Sequence, residues 1–177
     1  METVTNAQRF ELAMREVVEP VRRYLARRTD AATADDVLSE TLVVLWRRID
    51  DLPDDAIAWS IGVARLQLAN AERAQRRQRR LFARIATIDP PRSVADHADS
   101  DTGYIRDAIA KLRPAEAEVV RLSAWDGLDL EQIATALGIS VNAATIRLHR
   151  ARKKLRDEFG KSSALPGHTA VKEGEHA

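Results

Sequence analysis

Residues 128–159, LDLEQIATALGISVNAATIRLHRARKKLRDEF, decide the fold. Asp129 followed three residues later by Gln132 is a variant of the capping box that opens a helix. Ile133 and Leu137 are apolar one turn apart, and Ala134 is small where a second helix would cross. Gly138 can take a left-handed turn, Ile139 can plug the core, and Ser140 can cap the next helix. Two helices joined by so short a turn need a small residue at the crossing and a turn residue without a side chain, so the stretch predicts a helix-turn-helix. In its second helix Ala144, Leu148, Ala151 and Leu155 recur at helical spacing and face inward. That leaves Asn142, Thr145, Ile146, His149, Arg150 and Lys153 outward, a polar set with one apolar residue able to touch a thymine methyl, as a major-groove reader requires. Arg147, Arg152, Lys154 and Arg156 suit phosphates instead. A charged helix on a protein-binding hairpin is the alternative at this point.

Upstream of it, Tyr104 to Leu112 predicts a short helix, and Pro114 sits well as the first residue of another carrying Val119, Val120, Leu122 and Trp125 before Gly127 stops it. The N-terminal part is helical too. Phe10, Met14, Val17, Val21 and Leu25 are spaced at threes and fours over 6–28, with Pro20 expected to kink the helix. After TDAA, Thr33 with Asp36 predicts a cap for a second helix through Val37, Leu38, Thr41, Leu42, Leu45 and Ile49. The segment DDLPDDA, 50–56, breaks the pattern and offers Asp54 or Asp55 as the cap of a third helix, which carries Ile57, Ile61, Ala64 and Leu68 inward. Trp59 opens that helix, where it could stack on an unpaired base or simply pack in the core.

Composition agrees with an all-α chain. Abundant Ala, Leu, Arg and Glu favour helices, and 5% aromatic residues are too few for a β-sandwich. The 177 residues allow one domain or two small ones. With no Cys, disulfides, Cys-ligated zinc and thiol catalysis are all excluded. Lys and Arg number 28 against 27 Asp and Glu, but the charges are segregated. Seven Arg and a single acid, Glu72, lie between Arg65 and Arg84, and Arg147 to Arg156 holds six bases and no acid. Between these runs, DPPRSVADHADSDTG is acidic, contains prolines and lacks a helical period, which predicts a flexible linker. One basic run could be a solvated helix face; two runs flanking a joint point to a long polyanion. No run of about 18 apolar residues occurs and METVTNAQRF lacks a basic-then-apolar leader, so a cytoplasmic protein without membrane insertion is expected. The four His residues (97, 149, 168, 176) are scattered and no phosphate loop or HExxH stands beside them. We therefore expect no enzyme activity, no metal and no cofactor.

The segments ADDVLSETLVVLWRRIDDL, AWSIGVARLQLANAERAQRR and LRPAEAEVVRLSAWDGLDLEQIATALGISVNAATIRLHRARKKL, in this order around an acidic linker, resemble the extracytoplasmic-function (ECF, group 4) sigma factors of the sigma-70 family. The resemblance spans about residues 7–159, and Pro20 matches a proline that this family commonly has in its first helix. It implies two small helical domains: region 2 over 1–85 and region 4 over 104–160, joined by a linker over 86–103 and followed by a tail over 161–177 expected to be disordered. Region 2 would dock on the β′ clamp of RNA polymerase core through the helix from Asp35 to Arg48, with Asp36, Ser39, Glu40, Val43 and Arg47 as contacts; Ser39 stands where the family usually has Gln. The loop from Asp50 to Ile57, including Asp54 and Asp55, corresponds to the one that captures a flipped minus-ten base. Trp59, Arg65, Leu66, Asn70, Arg73, Arg76 and Arg77 lie on the helix that would bind the opened strand. Region 4 would read the minus-thirty-five duplex through Ser140, Asn142, Thr145, Ile146, Arg147, His149, Arg150 and Lys153, and pack on the β flap.

Departures stand out. Leu66 and Asn70 replace the Asn and Asp common at those places, and Asn142-Ala143-Ala144-Thr145-Ile146 replaces Gly-Thr-Val-Lys-Ser, so Thr145 stands where a basic base-reading side chain is usual. A promoter preference other than the family's commonest is expected. The implied partners are polymerase core, promoter DNA and an anti-sigma factor; catalysis would belong to the polymerase. Two other readings remain: a helix-turn-helix regulator that works without being a polymerase subunit, and an antagonist that holds a polymerase surface without reading DNA.

Overall fold

The computed structural model describes the backbone of residues 5–85 and 100–163, with side chains over 5–82 and 103–160. All regular structure there is helical: α1 (Asn6–Ala26), α2 (Ala31–Arg47), a 3-10 turn (Ile49–Asp51), α3 (Ala56–Ile85), α4 (Ser100–Ala110), α5 (Pro114–Ala124), α6 (Leu130–Leu137) and α7 (Val141–Ser163).

Helix α1 is started by Thr5, whose hydroxyl accepts from the Gln8 amide while the Gln8 side chain accepts from the Thr5 amide. It is continuous through Pro20 to Ala26. Its buried face is Ala13, Val17, Val21, Tyr24 and Leu25; Phe10 and Met14, expected inside, are only half-buried. Helix α2 begins earlier than Thr33. Asp30 is its cap, accepting from the Thr33 amide at 3.0 Å and the Thr33 hydroxyl at 2.9 Å. These bonds hold the Asp30 carboxyl below its ordinary range. The expected cap at Thr33 is thus replaced by Asp30, within TDAA, which accepts two bonds from Thr33 itself. Of the two candidates for α3, Asp55 is the cap, accepting from the Ala58 amide at 2.8 Å.

In the second domain Asp129 and Gln132 form the expected capping box, and Gly138 closes α6 in the left-handed conformation at φ 62°. The Ser140 hydroxyl accepts from the Ala143 amide at 3.2 Å. Ala144, Leu148 and Ala151 are buried and Leu155 is half-buried, so α7 presents the predicted inner face. Helix α4 starts at Ser100, inside the span expected to be linker, and α7 runs to Ser163, past the start of the expected tail. The remainder of both, 86–99 and 164–177, lies outside the described residues.

The halves do not stand apart. Helix α3 packs on α1 and α2 on one side and on α6 on the other. From Ala56 to Ala64 none of its residues is exposed, because a helix between two layers must be apolar nearly all round. Gly62 marks the close approach: a Cβ there would come within 2.9 Å of the Ala136 carbonyl oxygen.

Candidate nucleic-acid and polymerase interfaces

The duplex-reading candidates all lie on α7 or its cap. Ser140, Asn142, Thr145, Ile146, His149, Arg150 and Lys153 are exposed and Arg147 is half-buried. The Thr145 hydroxyl donates back to the Val141 carbonyl at 2.8 Å, which occupies its donor within the helix. This first half of the helix thus offers an amide, an imidazole, guanidinium groups and an apolar Ile146, the mixture that base edges and a thymine methyl can use. Of the expected phosphate contacts, Arg152 and Arg156 are exposed. Lys154 is not a free cation. It donates to Glu116 at 2.7 Å and ties α7 to the first turn of α5. The Glu116 carboxylate is buried, and its pKa is held below the ordinary value of 4.5, chiefly by the Lys154 hydrogen bond and then by the Arg113 amide, against the opposing effect of burial.

The strand-binding candidates run from the covered first turns of α3 to its exposed second half. Leu66, Asn70, Arg73 and Arg77 are exposed and follow one another by fours and threes, forming one stripe that continues from Trp59. Arg73 donates to Asn70 at 2.5 Å, and exposed Arg76 sits 3.6 Å from Glu72. Trp59 and Ile57 are half-buried and pack against the core, so core packing accounts for much of the Trp59 ring. Asp54 is exposed. Asp55, the cap of α3, and Arg65 are turned toward the second domain: Asp55 accepts from the Gln132 side chain at 2.9 Å, and Arg65 lines a cavity with Glu72, Arg106, Glu118, Arg121 and Trp125.

The polymerase-docking candidates fall on a single stripe of α2. Asp36, Ser39, Glu40, Val43 and Arg47 are all exposed, while Val37, Leu38, Thr41 and Leu45 fill the opposite, buried face. The Ser39 hydroxyl donates to the Asp35 carbonyl at 2.8 Å. Beside this stripe Trp46 is 48% exposed and meets Phe10 edge-on at 5.1 Å. Trp46 is a surface feature that the helical period could have revealed, since it lies off the stripe of buried positions. Arg27, Arg28, Gly62 and Asp126, which hold the two halves together, carry no signal of their own in the sequence.

Residues 102–155 match the family model described as Sigma-70, region 4. The chain is 35% identical over 140 residues to the ECF RNA polymerase sigma factor SigL of Mycobacterium tuberculosis, covering 76% of this chain and 79% of that protein. It is 32% identical over 144 residues to the RNA polymerase sigma factor CarQ of Myxococcus xanthus, covering 79% and 83%. In fold it is similar to the sigma factor RpoE of Bartonella quintana, solved with the anti-sigma factor NepR: the TM-score is 0.56 at 22% identity, over 85% of this chain and 96% of that one. With a helix-turn-helix in its second half and similarity reaching well into its first, the chain belongs to the extracytoplasmic-function sigma factors of RNA polymerase.

Proposed function

We propose that this sigma factor joins polymerase core through the α2 stripe (Asp36, Ser39, Glu40, Val43, Arg47) on the β′ clamp and through the second domain on the β flap. It reads the minus-thirty-five duplex with Asn142, Thr145, Ile146, His149 and Arg150, with Arg147, Arg152 and Lys153 on phosphates. It holds the opened minus-ten strand along Trp59, Leu66, Asn70, Arg73 and Arg77. Separating the strands costs about 1.4 kcal/mol of stacking per step, and only a surface that prefers the single strand can offset this. The observation that carries the reading is the exposed stripe from Leu66 to Arg77, apolar and amide-bearing at one end and basic at the other, set on a different domain from the exposed reader helix. The nucleotide chemistry stays with the polymerase, which puts the working protein on DNA in the cytoplasm. RpoE is held by an anti-sigma factor in its solved complex, and a protein of that kind is the expected antagonist here.

The test adds the purified protein to core polymerase and a promoter library. Transcripts enriched for a two-part sequence are expected, and enrichment should lose its upstream part with Arg147→Ala and Arg150→Ala. Transcripts no more specific than those of core alone would reject the proposal, and tight binding to a symmetric duplex without polymerase would favour the regulator.

A further inference from the structure

At the end of α1, where α3, α4 and α5 meet, the structure holds a cavity of about 510 Å³, within the size range of small-molecule sites. Five guanidinium groups line it, those of Arg27, Arg28, Arg65, Arg106 and Arg121. The carboxylates nearby do not match them. Glu72 sits 3.6 Å from Arg76, outside the cavity, and Glu118 lies 3.9 Å from Arg28 and 3.7 Å from Arg121. Asp126, in the turn after α5, accepts from Arg27 at 3.0 Å and from Arg28 at 2.8 Å. Among the described residues, neither Arg65 nor Arg106 has an ion-pair partner. The guanidinium groups are also short of acceptors: Arg28 Nε and Arg65 Nε are buried with no hydrogen-bond partner within the chain. A guanidinium carries five donors and no acceptor, so neighbouring arginines cannot satisfy one another. A buried donor left unmade costs stability, and crowding like charges adds to that cost. An entering oxyanion relieves both at once. Glu118 works against it, since its Oε1 is buried in the same place, likewise without a hydrogen bond.

We propose that this cavity is a binding site for a small phosphorylated ligand, whose oxygens accept from the stranded Nε atoms of Arg28 and Arg65 and from the unpaired Arg106. Several guanidinium forks around one space suit a group with several oxygens and more than one negative charge, which favours phosphate over a single carboxylate. A cavity of this volume takes a few phosphate groups and not a DNA duplex. Trp125 is 37% exposed and lines both this cavity and a neighbouring one of about 660 Å³ that shares Arg27, Arg28 and Arg106. An indole at the edge of a guanidinium cluster is a platform on which a planar base can stack. A nucleotide and an inorganic polyphosphate are thus two sources of the same chemistry. Because α1 and α3 line the cavity from one half of the chain and α4 and α5 from the other, the bound ligand bridges the halves and stabilises the fold by mass action. The site stands apart from the exposed stripe between Leu66 and Arg77, and the proposal does not depend on the promoter reading.

Isothermal titration calorimetry of the full chain with tripolyphosphate and with ATP, in the absence of divalent cations, tests this, alongside the melting temperature by circular dichroism. Binding at one site and a higher melting temperature with either probe are expected. Arg106→Gln, at an exposed position that leaves the fold intact, should weaken both probes about tenfold, the worth of one charge-assisted hydrogen bond. Glu118→Gln removes the opposing charge and releases Arg28 and Arg121, so it should tighten both several-fold. Arg79→Gln, exposed farther along α3, removes the same charge outside the cavity and should change neither. ATP bound more tightly than tripolyphosphate, with the advantage lost in Trp125→Ala, supports the site and assigns it a nucleotide; equal affinities support it and assign inorganic phosphate. No binding to wild type overturns the proposal. So does Arg79→Gln weakening the probes as much as Arg106→Gln, which marks attraction to the basic surface at large, or a folded Glu118→Gln that binds no more tightly than wild type. The contrast between Arg106→Gln and Arg79→Gln decides the matter even where Glu118→Gln fails to fold.

Discussion

Gly138 shows how a single residue constrains the second domain. Its φ of 62° lies where a Cβ crowds the following carbonyl, so Gly138→Ala should destabilise the domain by about 1–2 kcal/mol, read as a lower urea midpoint with unchanged slope. Glu116 is the titrating counterpart. Its carboxyl binds a proton less readily folded than unfolded because Lys154 holds the anion. The unfolded chain therefore takes up more protons as pH falls, and this contribution is present above about pH 4.5 and lost below it as pH drops through the folded value. Glu116→Gln should lower the melting temperature at neutral pH and flatten its fall between roughly pH 5 and 3, measured by circular dichroism. Such local rules were legible in the chain: Asp129 with Gln132, Gly138 and Ser140 act as their residue types dictate, because a cap or a left-handed turn depends on only a few neighbours. The cap of α2 was misplaced for the same reason, since Asp30 and Thr33 are both competent and only the observed bonds choose between them.

At the scale of elements, exposure separates what a helix offers from what it uses to fold. Asp36 and Glu40 are exposed on α2, so Asp36→Lys with Glu40→Lys should leave the melting temperature nearly unchanged and weaken core binding at least tenfold, measured by competition with a second sigma factor. On α7, Arg150 is exposed; Arg150→Ala should reduce upstream-element binding by about 1–3 kcal/mol if it reaches a base edge, whereas a phosphate contact would lower the salt slope by about one. Lys154 should behave differently from its basic neighbours, costing stability because it is committed to Glu116. The inner face of α7 and most of those of α1 and α2 could be found from period alone, because each packs on one side, although Ala13 and Tyr24 rather than Phe10 and Met14 complete the buried face of α1. Helix α3 could not: its period marks Ile57, Ile61, Ala64 and Leu68, but its first turns are covered from both sides, and only the position of α6 accounts for Ala58 and Gly62.

For the whole molecule, the packing of α6 on α3 couples the two halves of the chain. The wild type should melt calorimetrically in a single transition, and Asp126→Ala should lower its midpoint, because the pairs with Arg27 and Arg28 add to the apolar packing that joins the halves. Periodicity and caps determined by themselves the helices and the helix-turn-helix, since each of these follows from residues a few places apart. Which part of α3 is free and which is covered was decided only by tertiary structure. Contacts such as Asp126 with Arg28, separated by 98 residues, depend on how two finished domains meet, and no local pattern in one domain encodes the surface it will find on the other.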